Sequence, residues 1–196
     1  MIRAVVFDLG GVIVRFTNDK YYQYLAGISG KSHGFVKHAI EDRELPLLEE
    51  GRANIKDFNE HVAKKLGIGK RRIAWSPFYK KTVSLNYDML ELVDALHKEY
   101  ITAFLTNVDE PRYIYTEKIL DMDLFDYRFQ SCYLGMRKPS AQIYRHILKK
   151  MHMKPKEVAY IDDRLENVRG AAKIGIVAIH FKNRRMLDVK LAALGL

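Results

Sequence analysis

The sequence predicts an α/β fold in which a doubly wound parallel sheet carries an inserted bundle of helices. Short continuous apolar runs alternate with amphipathic helical patterns, which is typical of parallel strands covered by helices on both faces. The segment 16–85 interrupts this alternation, because it contains helical patterns and no comparable apolar run. A chain of 196 residues is long enough for one such domain with a smaller insert. We therefore predict a core domain of residues 1–15 and 86–196 and a helical cap of residues 16–85.

The first strand is predicted over Ala4–Phe7, and it is followed by Asp8 and by two glycines, Gly10 and Gly11. The apolar run predicts a strand, and the glycines predict a loop whose backbone can approach a ligand closely. An acid at the C-terminal end of a parallel strand lies where α/β proteins bind their ligands. Taken alone, the segment fits equally well a strand that ends in an aspartate turn.

The insert shows the apolar spacing of helices in four places, over residues 19–27, 33–44, 54–66 and 71–81. Most of its aromatic side chains are expected to form the core of a small helical bundle. One or two of them are expected to face a substrate, because a cap over a ligand site is where substrate choice is made.

After the insert, helices and strands are predicted in alternation. A helix over 88–100 leads into a strand over 101–105, and a helix over 110–120 carries Pro111 in its first turn, where proline is tolerated. A short extended piece follows near 129–133. The remaining predicted elements are a helix from the N-cap Ser140 to Met151, a strand over 158–161, a helix over 165–174 closed by Gly175, a strand over 177–181 and a C-terminal helix.

The composition is that of an ordinary globular protein, with 48% hydrophobic and 29% charged residues. The single cysteine, Cys132, cannot form an internal disulfide, which favours a reducing compartment. No apolar run reaches the length of a membrane span, and Asp8 interrupts the N-terminal apolar run, which argues against a signal peptide. We therefore expect a cytoplasmic protein with no membrane partner.

The net charge of +9 comes with short basic clusters that are dispersed along the chain. A basic surface attracts polyanions, and it also raises the local concentration of small phosphorylated molecules. Because no nucleic-acid-binding motif accompanies the clusters, we interpret most of them as solvated surface and expect no nucleic-acid partner. The sequence leaves the oligomeric state open.

Polar side chains follow three of the predicted strands, at the point where each strand ends. They are Asp8 after the first strand, Thr106 and Asn107 after the second, and Asp162 and Asp163 after a later one. Lys138 stands in a loop directly before the helix that begins at Ser140. Because the carboxyl ends of parallel strands meet at one edge of a sheet, we expect all these side chains in one crevice.

This set of side chains predicts phosphoryl-transfer chemistry. Three clustered carboxylates repel one another unless a cation neutralises them, and oxygen ligands without nearby His or Cys suit Mg²⁺. A phosphate could then bridge the metal and Lys138, with Thr106 and backbone amides completing its contacts. In this hypothesis Asp8 attacks phosphorus and forms an aspartyl-phosphate, which water hydrolyses.

Each of these residues also has an ordinary structural interpretation. Thr106 fits a turn at the end of a strand, Lys138 fits a solvated loop lysine, and the Asp162-Asp163 pair fits a helix cap. Their joint occurrence, in order and at consecutive strand ends, favours the functional interpretation.

Four motifs make the chain resemble the haloacid dehalogenase superfamily of hydrolases. The first is similar to the family's D-x-D-G-[TV], and the others are an apolar strand ending in Ser or Thr, a lysine, and a strand ending in paired acids. In this sequence they are Asp8-Leu9-Gly10-Gly11-Val12, Ala103-Phe104-Leu105-Thr106, Arg137-Lys138-Pro139 and Tyr160-Ile161-Asp162-Asp163. The resemblance implies a Rossmann-like core with a helical cap and an Mg²⁺-dependent phosphatase of small phosphorylated metabolites. Within the family the chain looks most like the bacterial α-D-glucose-1-phosphatase-type subgroup.

The resemblance also implies a role for each matching residue. Asp8 is the implied nucleophile, and Lys138 and Thr106 are the other implied catalytic residues. The implied phosphate-binding residues are Thr106, Asn107, Lys138, Gly10 and Gly11. The implied metal ligands are Asp8, the backbone carbonyl of Gly10, Asp162 and Asp163.

Gly10 departs from the family pattern. The family's phosphatases normally carry a second Asp at this position, which protonates the leaving group and then activates water. A glycine still offers its carbonyl to Mg²⁺, but it cannot transfer a proton, and general acid–base catalysis is worth about 10²–10⁴ in rate. The nearest acidic residues that could replace it lie in the predicted cap, and they are Asp19, Glu41, Asp42 and Glu44.

Two other functions stay open at this point. A 2-haloacid dehalogenase also lacks the second Asp, but it needs no metal and is not expected to carry the paired Asp162-Asp163. A catalytically impaired protein that binds a phosphorylated ligand would explain Gly10. The presence of Asp8, Lys138 and both acids favours an active phosphatase over either alternative.

Overall fold

The structure is a computed structural model that describes residues 1–42, 44–69, 73 and 82–196. Its strands are β1 (Ala4–Phe7), β2 (Val14–Arg15), β3 (Ser84–Leu85), β4 (Ile101–Thr106), β5 (Tyr127–Gln130), β6 (Val158–Asp162) and β7 (Val177–His180). Among the described residues, five of these strands form a parallel sheet in the order β5-β4-β1-β6-β7.

The helices alternate with the strands of this sheet and also form the insert. In chain order they are α1 (Asp19–Ser29), α2 (His33–Glu41), α3 (Glu44–Glu49), α4 (Ile55–Leu66), α5 (Tyr87–His97), α6 (Glu110–Glu117), α7 (Ser131–Leu134), α8 (Ala141–Met151), α9 (Leu165–Lys173) and α10 (Arg184–Ala192). The predicted α/β class with a parallel, helix-covered sheet is confirmed.

Both faces of the sheet are buried, as the continuous apolar runs predicted. Val5 and Phe7 of β1 point into one apolar cluster, which contains side chains of α5 and α10. Ala4 and Val6 point into a second cluster on the opposite face, which contains side chains of α8 and α9. Since neighbouring side chains of a strand alternate between faces, a central strand between two helical layers needs apolar residues at every position.

The strand order brings three carboxyl ends together. β1 lies between β4 and β6, and the register pairs Phe7 with Phe104 on one side and with Ile161 on the other. The residues that directly follow these partners therefore lie side by side at one edge of the sheet. In open α/β sheets this edge is the place where ligands bind.

The insert contains an apolar cluster of its own, built from α1, α2 and α4 around Tyr22, Ile40 and Phe58. The chain enters and leaves this region through a two-stranded antiparallel ribbon, in which Val14 pairs with Leu85. The ribbon places the start and the end of the insert next to each other, so that the insert sits on the core at one point of attachment.

The helix predicted over 33–44 is α2, which already ends at Glu41, so this prediction was wrong in its extent, and a separate helix, α3, follows from Glu44. Pro46 explains the break, because a proline inside a helix removes one backbone hydrogen bond and clashes with the preceding turn. A new helix that begins at Glu44 places Pro46 near its start, where these costs are small.

Two further predictions differ from the structure or fall outside it. The extended piece predicted near 129–133 is instead the end of β5 followed by α7, and this short helix closes on Gly135, which has a φ of +69°. The helix predicted over 71–81 lies outside the described residues, apart from Ile73.

The insert contacts the core closely at a second place. Glu49 at the end of α3 accepts a hydrogen bond from Arg137 of the core at 2.8 Å. Gly51, with a φ of +64°, lies so close to Cys132 that a Cβ atom there would be 2.2 Å from its carbonyl oxygen. The end of α3 and the residues that follow it therefore pack against the core as well. Among the described helices, none combines the length and the apolar character needed to cross a membrane.

Candidate active site

Three carboxylates meet at the carboxyl edge of the sheet. Asp8 directly follows β1, Asp162 ends β6 and Asp163 follows it, and one oxygen of each lies within 4.8 Å of the other two. Asp8 and Asp162 are buried, whereas Asp163 is exposed. The sequence predicted this meeting from the positions of the strand ends alone.

Lys138 lies at the centre of the cluster, with only 2% of its surface exposed. Its Nζ is 2.9 Å from Asp8 Oδ1 and 2.8 Å from Asp162 Oδ2, and it donates a third hydrogen bond to the carbonyl of Leu105 at 2.9 Å. The ammonium thus joins β1, β4 and β6. A solvated loop lysine, which was the ordinary interpretation of this residue, would make none of these contacts.

Asn107 explains how a loop lysine reaches this position. Its Oδ1 accepts a hydrogen bond from the Lys138 backbone N–H at 2.9 Å, and its Nδ2 donates to the Lys138 carbonyl at 3.0 Å. This two-point contact fixes the loop against the end of β4. Asn107 therefore positions Lys138, and its predicted contact with phosphate stays a prediction.

Asp162 is held by a dense set of donors. Its two oxygens accept hydrogen bonds from Asn167 Nδ2 at 3.1 and 3.0 Å, from the Arg164 backbone N–H at 2.8 Å and from Lys138 Nζ at 2.8 Å. The hydroxyl of Tyr160 donates another to Oδ2. With these lone pairs in use, Asp162 acts here chiefly as the anchor of Lys138.

Two tyrosines of this network were not predicted as site residues. Tyr160 stands two positions before Asp162 on β6, and this spacing puts both side chains on one face of the strand, which is a signal that could have found it. Tyr144 of α8 donates its hydroxyl to the carbonyl of Asn167 at 2.8 Å. Nothing in the local sequence indicates this contact, because it joins two helices.

Burial and charge act in opposite directions on the cluster. The pKa of Asp8 is raised to about 7, chiefly because burial removes the hydration of its carboxylate. The positive charge of Lys138 opposes this rise, and the negative charge of Asp162 adds to it. Burial alone would lower the pKa of Lys138, but the attraction of Asp8 and Asp162 outweighs it and raises that pKa. Burial, followed by the charge of Asp162, also raises the pKa of Asp163. One ammonium does not neutralise three carboxylates, so a second cation would stabilise their ionised forms.

The backbone of the loop after β1 packs directly against the carboxylate cluster. Gly11 has a φ of +78°, and a Cβ atom there would lie 2.1 Å from Asp163 Oδ2. Only glycine therefore lets the loop after β1 approach Asp163 so closely. Carboxylate oxygens with an adjacent backbone loop are the donor set that a hard divalent cation prefers, and the residues present fit such an ion.

We predict that Gly11→Ala weakens the binding of Mg²⁺ by about 10- to 100-fold, because the new methyl group displaces Asp163. The measurement is a Mg²⁺ titration that is followed by thermal shift. Gly34→Ala is the matched control, since nothing lies within 4 Å of a Cβ at that helical position. A Gly11→Ala protein with the Mg²⁺ affinity of the wild type would contradict this assignment.

A cavity of about 550 Å³ opens above the carboxylates, between the sheet edge and the insert. Asp8, Thr106 and Lys138 line it from the core, and Phe16 and Tyr22 line it from the insert. Thr106 is buried at the end of β4, at the level of the other strand ends. The predicted catalytic residues therefore line one cavity that is large enough for a small metabolite.

Three of the four acidic residues considered as replacements for the second Asp line this cavity. They are Asp19, Glu41 and Asp42. Glu41 accepts a hydrogen bond from the hydroxyl of Tyr22 at 2.9 Å. The side chain of Glu44 lies outside the described residues.

A parallel α/β core with a carboxylate and a buried lysine at its carboxyl edge, under a helical insert, defines a class of hydrolases. The chain belongs to the haloacid dehalogenase-like hydrolase family, whose family model matches residues 2–175. The family resemblance read from the four motifs is thereby confirmed, and so is the prediction of a hydrolase. The α-D-glucose-1-phosphatase subgroup stays a prediction.

Named relatives and solved structures agree with this family. The chain is 29% identical over 182 residues to the sesquiterpene phosphatase astK of Aspergillus oryzae. This alignment covers 91% of this chain and 89% of that protein. It is 25% identical over 206 residues to a D-ribitol-5-phosphate phosphatase of Bacteroides thetaiotaomicron, with 93% of each chain covered. A HAD family enzyme of the same bacterium, solved with magnesium and inorganic phosphate, shares the fold with a TM-score of 0.78 at 22% identity, over 93% of this chain and 95% of that one.

Proposed function

We propose that this protein is a Mg²⁺-dependent phosphatase that hydrolyses a small phosphorylated metabolite, in the first instance a sugar phosphate, through an aspartyl-phosphate on Asp8. The observation that carries the proposal is the buried Lys138 ammonium, 2.9 Å from Asp8 and 2.8 Å from Asp162, beside the exposed Asp163. A buried cation between two carboxylates at the floor of a cavity suits an incoming dianion better than it suits a neutral substrate.

The residues of the chain divide the chemistry among themselves. Asp8 attacks phosphorus through a carboxylate oxygen, and the bond between phosphorus and the leaving oxygen breaks. Lys138 and the hydroxyl of Thr106 bind the phosphate oxygens and offset the charge that they carry in the transition state. Asp162 acts as a positioning residue, because it holds Lys138 against Asp8.

A divalent cation would be held by Asp8, Asp163 and the backbone carbonyl of Gly10, with Asp162 behind them. When bound, Mg²⁺ supplies positive charge that keeps Asp8 ionised and attracts the phosphate oxygens. The fit of these residues supports Mg²⁺, since oxygen donors surround the site and none of the described ligand candidates is His or Cys.

The substrate class is supported by the relatives and by the cavity. The named relatives act on phosphorylated small molecules, including D-ribitol 5-phosphate, and a cavity of about 550 Å³ accommodates a molecule of that size. We propose that residues 16–85 act as a cap that selects the substrate and shields it from water. A cytoplasmic location and a small-molecule partner remain part of this proposal.

The test is a panel of phosphorylated metabolites and 4-nitrophenyl phosphate, assayed with Mg²⁺ and again after removal of the metal with EDTA. We expect release of inorganic phosphate with Mg²⁺ and a loss of at least about 100-fold with EDTA, restored by added Mg²⁺. No turnover of any phosphate ester by folded, Mg²⁺-loaded protein would overturn the proposal. Halide release from 2-chloropropionate without metal would instead support the dehalogenase hypothesis.

A further inference from the structure

We propose that Phe16 fills the place of the missing proton donor, so that the enzyme favours phosphates whose leaving group departs without a proton. This inference rests on the proposed phosphatase function and revises its substrate class: among phosphorylated metabolites it favours those with an acidic leaving group over sugar phosphates of primary alcohols. The favoured class is aryl and acyl phosphates, whose leaving groups are phenolates and carboxylates. Phosphates of primary alcohols are disfavoured. Phe16 is thus a specificity-determining residue and not a catalytic one.

The packing around Gly10 carries the inference. A Cβ atom at Gly10 would lie 2.8 Å from Cε1 of the Phe16 ring, which is closer than two carbon atoms pack. The ring therefore occupies the space that the Cβ atom of any other residue at position 10 would need. Phe16 lines the cavity, with 38% of its surface exposed, so beside Gly10 the cavity wall carries this ring and no carboxyl group at position 10.

The Phe16 ring also contacts a buried cation. The guanidinium carbon of Arg112 lies 4.7 Å from the ring centroid, at the distance of a cation–π contact. The Arg112 side chain is only 8% exposed, and its Nε is 3.4 Å from the buried carboxylate of Asp109, which also caps the same helix. To admit a carboxylate at position 10, the ring must move and give up this cation–π contact.

The other acidic side chains of the cavity either make polar contacts or are exposed to solvent. Glu49 accepts a hydrogen bond from Arg137 at 2.8 Å, and Glu41 accepts one from the Tyr22 hydroxyl at 2.9 Å. Asp163 belongs to the carboxylate cluster. Among the described side chains, the remaining acids that line the cavity are exposed, and they are Asp19, Asp42 and Glu166. The segment 70–81 contains no Asp, Glu or His, so it brings no such proton donor to the cap.

The chemical consequence follows from the balance of the reaction. A bond forms between an Asp8 oxygen and phosphorus, the bond to the leaving oxygen breaks, and its electron pair stays on that oxygen. Water then attacks phosphorus, the electron pair of the broken bond returns to Asp8, and the proton that water loses goes to solvent, while the departed phenolate or carboxylate leaves as an anion. Because no proton is given in the first step, its rate depends strongly on the acidity of the leaving group.

The experiment compares wild type with Phe16→Ala, Gly10→Asp and the double variant on substituted phenyl phosphates, acetyl phosphate and glycerol 3-phosphate. For the wild type we expect kcat/KM to fall steeply as the pKa of the leaving group rises. The double variant, which has both the carboxyl group and room for it, is expected to gain about 10²-fold or more on glycerol 3-phosphate. Gly10→Asp alone is expected to gain less, because the ring still stands in its way.

Phe35→Ala is the matched control, since Phe35 is an exposed aromatic residue of the insert that does not line the cavity. This variant should leave unchanged the way in which kcat/KM depends on the pKa of the leaving group. A shallow dependence in the wild type would overturn the inference, as would a folded double variant that keeps the wild-type dependence. Selective loss of glycerol 3-phosphate turnover in Glu41→Gln would also overturn it, by revealing a proton donor. These results differ from a failure of the proposed function, in which no phosphate ester at all is hydrolysed.

Discussion

Replacing Asp8 by asparagine is expected to lower the rate of phosphate-ester hydrolysis by about 10⁴-fold or more, which is the size of effect seen when a covalent nucleophile is removed. An amide oxygen is a poor nucleophile, and the variant also loses the carboxylate that faces Lys138 at 2.9 Å. Steady-state kinetics with Mg²⁺ measures the loss. A variant that keeps a tenth of the activity would show that another group attacks phosphorus.

The same variant makes a second prediction, about stability without metal. Burial raises the pKa of Asp8 from 3.8 to about 7, so the folded protein binds this proton more tightly than the unfolded chain does. Stability of the wild type therefore falls as the pH rises through this range, and asparagine avoids the loss. In EDTA we expect Asp8→Asn to have a higher Tm than the wild type at about pH 8 and a similar Tm at about pH 4. A lower Tm of the variant at both pH values would contradict this account of the site.

Replacing Lys138 by methionine is expected to have the second large effect, on both folding and catalysis. Methionine keeps much of the volume but leaves Asp8 and Asp162 buried without their counter-charge. Breaking a buried ion pair in this way costs about 3–5 kcal/mol, and the loss of the cation is expected to lower kcat by about 10²–10³-fold. Denaturant unfolding and steady-state kinetics measure the two effects.

The lysine prediction has two controls. Lys150→Met, on the exposed side of α8, should change the free energy of unfolding by less than about 0.5 kcal/mol. Adding Asp162→Asn to Lys138→Met removes one of the two uncompensated charges, and it should recover part of the stability but none of the activity. A Lys138→Met protein as stable as the wild type at neutral pH would show that the ammonium does not hold the cluster together.

Much of the fold followed from the sequence because a parallel sheet leaves a strong local pattern. Every residue of β1 must be apolar when helices cover both faces, and the polar residues at the strand ends then stand out. The prediction over 33–44 carried α2 past its end at Glu41 and missed α3, although Pro46 is a residue typical of a helix start. Conversely, the end of α7 depends on Gly135, whose left-handed conformation is visible only in three dimensions.

The sequence was enough to predict which charged residues meet in the site, but not the contacts that hold them in place. Asp8, Asp162 and Asp163 follow strand ends, and parallel pairing of the strands is enough to bring them together. The contacts that hold Lys138 in place join segments distant along the chain, such as Asn107 with the loop before α8. The ring of Phe16 over Gly10 likewise depends on how the insert folds back, which no local pattern encodes.

The measurement that tests the central claim most directly is the chemical trapping of the phosphorylated enzyme. The protein is mixed with Mg²⁺ and an activated aryl phosphate, quenched in acid during turnover, and reduced with borohydride, which converts an aspartyl-phosphate to homoserine. Peptide mass spectrometry then locates the reduced residue. We predict homoserine at position 8 in the wild type, and none when substrate is omitted. Turnover with an unmodified Asp8, or with the reduced residue elsewhere in the chain, would contradict the claim that Asp8 is the nucleophile.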